Sequence, residues 1–163
     1  MNKQLFCDID STINNHWVRI QKWAVPSFPG TAIDPRAFTR EEILKDLPLP
    51  GALDAIRRFK DASWDIHYLT ARNFPDAYSI TRDWLDSHQF PYDSINVVAK
   101  SKDKPPFLST RKCDLFVDDL SAGQEFGPSY ENLYTGTIQQ LQVDKIRFEI
   151  FSGNWNEILE RNL

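Results

Sequence analysis

Cysteine is scarce in this chain. Only Cys7 and Cys113 occur among 163 residues, too few for a disulfide framework. Both fall in apolar runs that read as strands, so buried free thiols in a reducing compartment are expected. Long apolar stretches are missing too: no run approaches the ~18 residues of a membrane-spanning helix. The opening Met-Asn-Lys-Gln leads at once into a strand-like run, without the apolar stretch and small-residue cleavage site of a secretory signal. A cytoplasmic location is the expectation. Positive charge is not in excess either. A net charge of −4 excludes a generically basic nucleic-acid binder and leaves room only for a local basic groove. There is no internal repeat and no low-complexity tract.

What is present is an ordinary globular composition, 41% hydrophobic and 26% charged. The length suits one domain with a small insertion, residues 1–163 forming a unit that buries roughly 70% of the surface its unfolded chain exposes. A preorganised site needs no disulfide in a core of that size.

Four short apolar runs punctuate the chain: Leu5 to Cys7, Ile66 to Leu69, Ile95 to Ala99 and Leu115 to Val117. Continuous runs of strand length suit strands buried on both faces of a parallel sheet. Helix-period segments lie between them. Ala52, Leu53, Ile56 and Phe59 share one face after Pro50-Gly51, and Ala77, Thr81, Trp84, Leu85 and His88 share another after Pro75. Ile146, Phe148 and Ile150 alternate with Arg147 and Glu149, the pattern of an edge strand with one wet face. Trp155, Ile158 and Leu159 stripe a last helix, with Asn154 and Glu157 as its capping pair. Strands alternating with helices predict an α/β, doubly wound, Rossmann-like parallel sheet in three layers. Residues 13–50 break the alternation. A helical pattern (Ile13, Trp17, Ile20, Ala24) gives way to a loop-rich stretch with Pro26, Pro29, Gly30, Pro35, Pro48 and Pro50, read as a small cap over the carboxyl edge of the sheet.

Ligands of such sheets bind beyond the carboxyl ends of the strands. The first strand ends in Asp8-Ile9-Asp10-Ser11-Thr12, the second in Thr70-Ala71-Arg72 and the fourth in Asp118-Asp119. The third ends near Lys100, with Lys102 and Lys104 close behind. Four carboxylates brought to one edge repel one another and raise each other's pKa values. A hard divalent cation relieves this, and Mg²⁺ suits a few carboxylates plus phosphate oxygens. One Asp then stays ionised to attack phosphorus, and a second moves the proton of the leaving oxygen and of water. Thr70 and a lysine balance charge on the transferred group.

In order and strand context these segments resemble the motifs of the haloacid dehalogenase-like (HAD) phosphohydrolases. Asp8-Ile9-Asp10-Ser11-Thr12 is similar to the first motif, Thr70 to the second and Asp118-Asp119 to the paired acids of the fourth. The resemblance implies an Mg²⁺-dependent phosphatase with Asp8 as nucleophile and Asp10 as general acid and base. Metal ligation would come from Asp8, Asp10 (through its carbonyl), Asp119 and Asp118. Asp119 is the expected direct ligand and Asp118 acts through water or on the lysine, though the two are interchangeable. Lys104 best fits the third-motif lysine, with Lys102 and Lys100 as alternatives. Thr12, Thr70, Ala71, Arg72 and Lys104 are the candidate phosphate or substrate contacts. Ser11 stands where glycine is commonest in the family.

The layout is similar to two branches of the family, the deoxyribonucleotidases and the phosphatase domain of polynucleotide kinase-like repair enzymes. The run from Thr81 to Pro91 resembles the second, and no Gly-x-x-x-x-Gly-Lys-Ser/Thr phosphate loop accompanies it. A nucleotide or a nucleic-acid 3′ end is the implied substrate, with no membrane partner. Asn14, Asn15, His16, Trp17, Trp23, Phe28 and Phe38 of the cap are available to stack on a base or to pack the insertion on the sheet. Three alternatives stand beside this reading: a phosphoacceptor signalling domain, a phosphate-binding module without turnover, and a HAD phosphatase for a non-nucleotide metabolite.

Overall fold

The computed structural model describes residues 1–121 and 133–163. Five parallel strands form its sheet: β1 (Lys3–Cys7), β4 (Trp64–Ala71), β5 (Ser94–Val98), β6 (Leu115–Asp118) and β7 (Phe148–Ile150), in the order β5-β4-β1-β6-β7. β1 is central, with Leu5 opposite Ile66 on one side and Leu115 on the other. The strand reversal next to β1 opens a crevice at its carboxyl end, where Asp8 sits.

Successive side chains along a strand point to opposite faces, and the core divides accordingly. Leu5, Cys7, Ile66, Tyr68, Leu115 and Val117 pack with α3 (Ala52–Asp61), α4 (Ala77–Ser87) and α7 (Trp155–Asn162). Phe6, Leu69 and Phe116 pack on the other face with Leu108 of α5 (Lys104–Ser109) and Leu141 of α6 (Thr135–Val143). The three layers are those expected from the sequence. Trp84 and Trp155 are fully or almost fully buried, each contributing about 2–3 kcal/mol by burial. Their indole N–H groups are also used: Trp84 donates to the Asp46 carbonyl (2.8 Å) and Trp155 to the Thr12 carbonyl (2.9 Å).

The helix starts follow local chemistry. Gly51 precedes α3 at φ 79°, a left-handed conformation that glycine adopts without Cβ strain. Asn154 caps α7 by accepting the Asn156 N–H at 2.9 Å. Pro105 and Pro106 occupy the first turn of α5, where a missing N–H costs nothing.

Three expectations are corrected. The part of residues 13–50 read as loop-rich holds regular elements. α1 (His16–Ile20) ends early, a 3₁₀ turn covers Gln21–Trp23, and Ala24 opens an antiparallel hairpin of β2 (Ala24–Ser27) and β3 (Gly30–Ile33). A second 3₁₀ turn (Pro35–Phe38) and α2 (Arg40–Ile43) follow, and Arg40 ties α2 to Asp83 and Ser79 of α4. The hairpin shows no alternation in sequence because β2 is exposed on both sides. Cys113 is not in a strand: it precedes β6, half-buried, while Cys7 lies buried in β1, and both are free thiols. Ile146 lies outside the short β7. Among the described residues no helix is long and apolar enough to cross a membrane.

Candidate active site

β1 delivers Asp8 to the carboxyl edge, and the chain turns sharply behind it. The Ile9 carbonyl accepts the N–H groups of Thr12 (3.1 Å) and Ile13 (2.9 Å). Ser11 takes φ 64° in this turn, the left-handed region that favours glycine. Its N–H is held by Asn14 Oδ1 at 2.9 Å. A tight αL turn is thus the physical demand at the position where glycine is commonest in the resembling family.

Three strand ends and one helix start converge here. Lys104 Nζ, at the start of α5, donates to Asp8 Oδ1 (2.9 Å) and to Asp118 Oδ2 (2.6 Å). Thr12 Oγ1 donates to Asp8 Oδ2 (2.9 Å), accepts the Asp119 N–H (3.1 Å) and lies 3.3 Å from Asp119 Oδ1. Asp118 Oδ1 accepts the Leu120 N–H at 2.7 Å. Asp8, Lys104, Asp118 and Asp119 are all buried. Of the three candidate lysines, Lys104 reaches the carboxylates, while Lys100 and Lys102 are exposed and line the cavity above them.

The charges are strained. Burial and the neighbouring Asp118 push the Asp8 carboxyl up to about 6, with Lys104 opposing. Burial, Asp118 and Asp8 raise Asp119 well above the carboxylate range. Burial works against the charge on Lys104, but Asp118 and Asp8 overcome it and keep the ammonium protonated.

The donor set fits a hard cation. Asp8, Asp118 and Asp119 each offer an oxygen, all within 4.8 Å of one another. Asp119 Oδ2 is buried without a hydrogen-bond partner among the described residues, a costly state for a carboxylate oxygen unless an ion meets it. Asp118, by contrast, spends one oxygen on Lys104 and the other on the Leu120 N–H. Thr70, at the end of β4, is also fully buried, its hydroxyl without a partner among the described residues.

Asp10 stands apart from that trio. Its carboxylate takes a bidentate pair from Arg72, Nη2 to Oδ1 at 2.8 Å and Nε to Oδ2 at 3.1 Å, and accepts Asn14 Nδ2 at 3.1 Å. Burial favours its neutral form, but Arg72 and then His16 outweigh this and hold it well below the usual carboxylate range. Arg72 also donates to Thr81 Oγ1 at 2.8 Å. The structure therefore directs the polar groups of Thr12 and Arg72 to carboxylates, while Ala71 lines the cavity wall.

A second buried network was not legible in sequence. Arg19 Nε donates to Asp46 Oδ1 at 2.6 Å, and His16 Nδ1 lies 3.2 Å from Asp46 Oδ2 and 3.6 Å from Asp10 Oδ1. Asp46 is fully buried and joins the insertion to Asp10 through His16. The only signal for it was a lone acid between Leu44 and Leu47, too common to read.

Above these groups lies a cavity of about 690 Å³, within the range of small-ligand sites. Asp8, Asp10, Asp119 and Lys104 form part of its lining, Ile20, Ile33 and Phe38 come from the insertion, and Lys100, Ser101 and Lys102 come from the turn before α5. Among the aromatics of residues 13–50, Trp17, Trp23 and Phe38 pack together with Ile20, Ile33 and Ala37, and Phe28 at the hairpin tip is fully exposed.

No family model and no curated protein matches the sequence. Solved structures do match the fold. A hydrolase from Streptococcus pneumoniae TIGR4 superposes with a TM-score of 0.60 at 8% identity, over 99% of this chain and 99% of that one. A HAD-superfamily hydrolase of subfamily IA, variant 1, from Geobacter sulfurreducens gives 0.56 at 14% identity, over 99% of this chain and 100% of that one. A chain of a Pnkp1/Rnl/Hen1 complex gives 0.56 at 14% identity over 93% of this chain, which spans only 46% of the length of that one. At these identities the likeness is one of architecture, and the chain has the doubly wound α/β fold found in HAD-superfamily hydrolases.

Proposed function

We propose that the chain is an Mg²⁺-dependent phosphomonoester hydrolase that works through an aspartyl-phosphate on Asp8, acting on a nucleotide or on a phosphate at a nucleic-acid end. The observation that carries this reading is Asp8 itself. It is a buried carboxylate at the foot of the cavity, gripped by Lys104 and Thr12, beside an Asp119 oxygen that has no partner. Oxygens of Asp8 and Asp119 and the Asp10 carbonyl would hold Mg²⁺, with Asp118 acting through Lys104. The ion would neutralise charge on the phosphoryl oxygens and on the clustered acids.

The protein groups divide the rest. An Asp8 oxygen attacks phosphorus and the bond to the leaving oxygen breaks. Asp10, which Arg72 holds ionised at rest, takes up a proton as its carboxyl leaves the Arg72 pair for the substrate, and then gives that proton to the leaving oxygen. Asp10 then takes a proton from the water that attacks the phosphoenzyme, releasing phosphate and restoring Asp8. The ionised form that Arg72 favours in Asp10 suits this second half. Lys104 and the free Thr70 hydroxyl balance charge on the phosphoryl group. Residues 13–50 act as a small cap. The likeness to a chain of a Pnkp1/Rnl/Hen1 RNA repair complex and the size of the cavity support a nucleotide or a nucleic-acid end over a smaller phosphoester.

The deciding assay is turnover of p-nitrophenyl phosphate with Mg²⁺, followed by a panel of nucleoside 5′- and 3′-monophosphates, 3′-phosphorylated oligonucleotides and sugar phosphates. Asp8→Asn should lose on the order of a thousand-fold or more in turnover while keeping the fold by circular dichroism. A wild-type protein that labels itself without turnover would instead be a phosphoacceptor, and full activity in Asp8→Asn would remove Asp8 as nucleophile.

A further inference from the structure

The cavity is larger than a phosphate needs, and its two walls differ in chemistry. Ile20, Ile33 and Phe38 face it from the insertion, and Phe38 stacks on Phe74 with ring centroids 5.7 Å apart. Lys100, Ser101 and Lys102 line the side next to α5. Neither lysine has a carboxylate within ion-pair distance among the described residues, whereas Lys104, two positions on, is saturated by two. The nearest acid in sequence, Asp103, spends a carboxylate oxygen on the Lys100 N–H (3.0 Å), and the Asp103 N–H returns to the Lys100 carbonyl (3.0 Å). Those bonds pin the turn. Two lysines without a carboxylate partner among the described residues thus stand on the wall of a cavity that Lys104 also lines.

Resting on the phosphatase reading above, we propose that Lys100 and Lys102 form a second anion subsite, so that the favoured substrate carries a further phosphate besides the one removed. A nucleoside with two phosphates fits both walls: its ring lies against Ile20, Ile33 and Phe38, one phosphate reaches Asp8, and the other meets the lysines. The second phosphate can be a free monoester, as in a nucleoside bisphosphate, or a diester, as at the end of a nucleic-acid strand. Both present the same anionic oxygens to an ammonium, which acts as a point charge without geometric choice between them.

The test compares kcat/KM for a nucleoside 3′-monophosphate, the matching 3′,5′-bisphosphate and a dinucleotide bearing a 3′-phosphate, in wild type and in Lys100→Met/Lys102→Met. The two-phosphate substrates should be preferred about ten-fold, the worth of two partly solvated ion contacts. The preference should arise in KM, fall with added salt and collapse in the double variant. Preference for the bisphosphate alone would assign the subsite to a free monoester, and preference for the dinucleotide alone to a diester. Equilibrium binding of the monophosphate and the bisphosphate to Asp8→Asn, with and without the two lysine changes, reads the same subsite without turnover. Equal affinity for both ligands, or a preference that survives the lysine changes, overturns the inference. Lack of any turnover with the binding preference intact would remove the phosphatase reading and leave the subsite standing.

Discussion

Lys104 and Asp118, fourteen residues apart, form a buried ion pair of 2.6 Å, and the same ammonium reaches Asp8 at 2.9 Å. One cation thus serves two buried carboxylates. Removing it by Lys104→Met leaves both uncompensated, which should destabilise the protein by about 3–5 kcal/mol in chelator. Added Mg²⁺ should recover part of that loss, because the ion supplies the missing charge. Urea unfolding with and without the metal measures both effects, and equal loss in the two conditions would place the metal elsewhere.

The acid pair is expected to split in function. Asp119→Asn should raise the Mg²⁺ concentration needed for half-maximal turnover by about 10–100-fold. Asp118→Asn should chiefly lower kcat at saturating metal, because its carboxylate positions Lys104 and accepts the Leu120 N–H. Metal titrations of the two variants side by side would show the contrast, and a reversed pattern would exchange their roles.

For Asp10→Asn, loss of the acid and base should separate the half-reactions. p-Nitrophenol leaves without a proton, so the variant should still release a burst of it, near one equivalent per site. Steady-state turnover should then be slower by about 10²-fold or more. An alkyl phosphate should give no burst, because its leaving oxygen needs the acid. Rapid-mixing kinetics with the two substrates reads this directly.

The burial of Asp8 gives a pH dependence in metal-free protein. Its folded value, about 6, lies above the ordinary 3.8, so the folded state holds the proton more tightly. The stabilising contribution is present below about pH 3.8 and is lost as pH rises through about 6. In chelator, Asp8→Asn should match wild type near the acid end. Above about pH 7 it should be more stable by on the order of 2 kcal/mol. Unfolding free energies across pH check the sign, and saturating Mg²⁺ should cancel the advantage.

Most of the fold was legible because its strands are buried on both faces and its helices on one. Leu5-Phe6-Cys7 and Leu115-Phe116-Val117 leave no polar position to confuse the reading, and the chemistry lies at their ends. Of the three lysines, Lys104 is the one that reaches Asp8 and Asp118, because α5 begins there. The hairpin of β2 and β3 escaped because an exposed ribbon needs no hydrophobic alternation. The Arg19–Asp46–His16 network escaped for another reason. Its partners lie 27 and 30 residues apart, and nothing local marks a charge that is to be buried.

The bond from the Trp155 indole to the Thr12 carbonyl joins the last helix to the turn that aims Asp8. Thr12 in turn receives the Asp119 amide on its hydroxyl. The back of the site is therefore built from the same contacts that close the tertiary structure, so loosening it breaks long-range bonds. In hydrogen exchange the Asp119 amide should belong to the slowest class, opening only with the whole molecule. Heat should then switch activity off along the melting curve, with no earlier step in which a folded but inert protein accumulates.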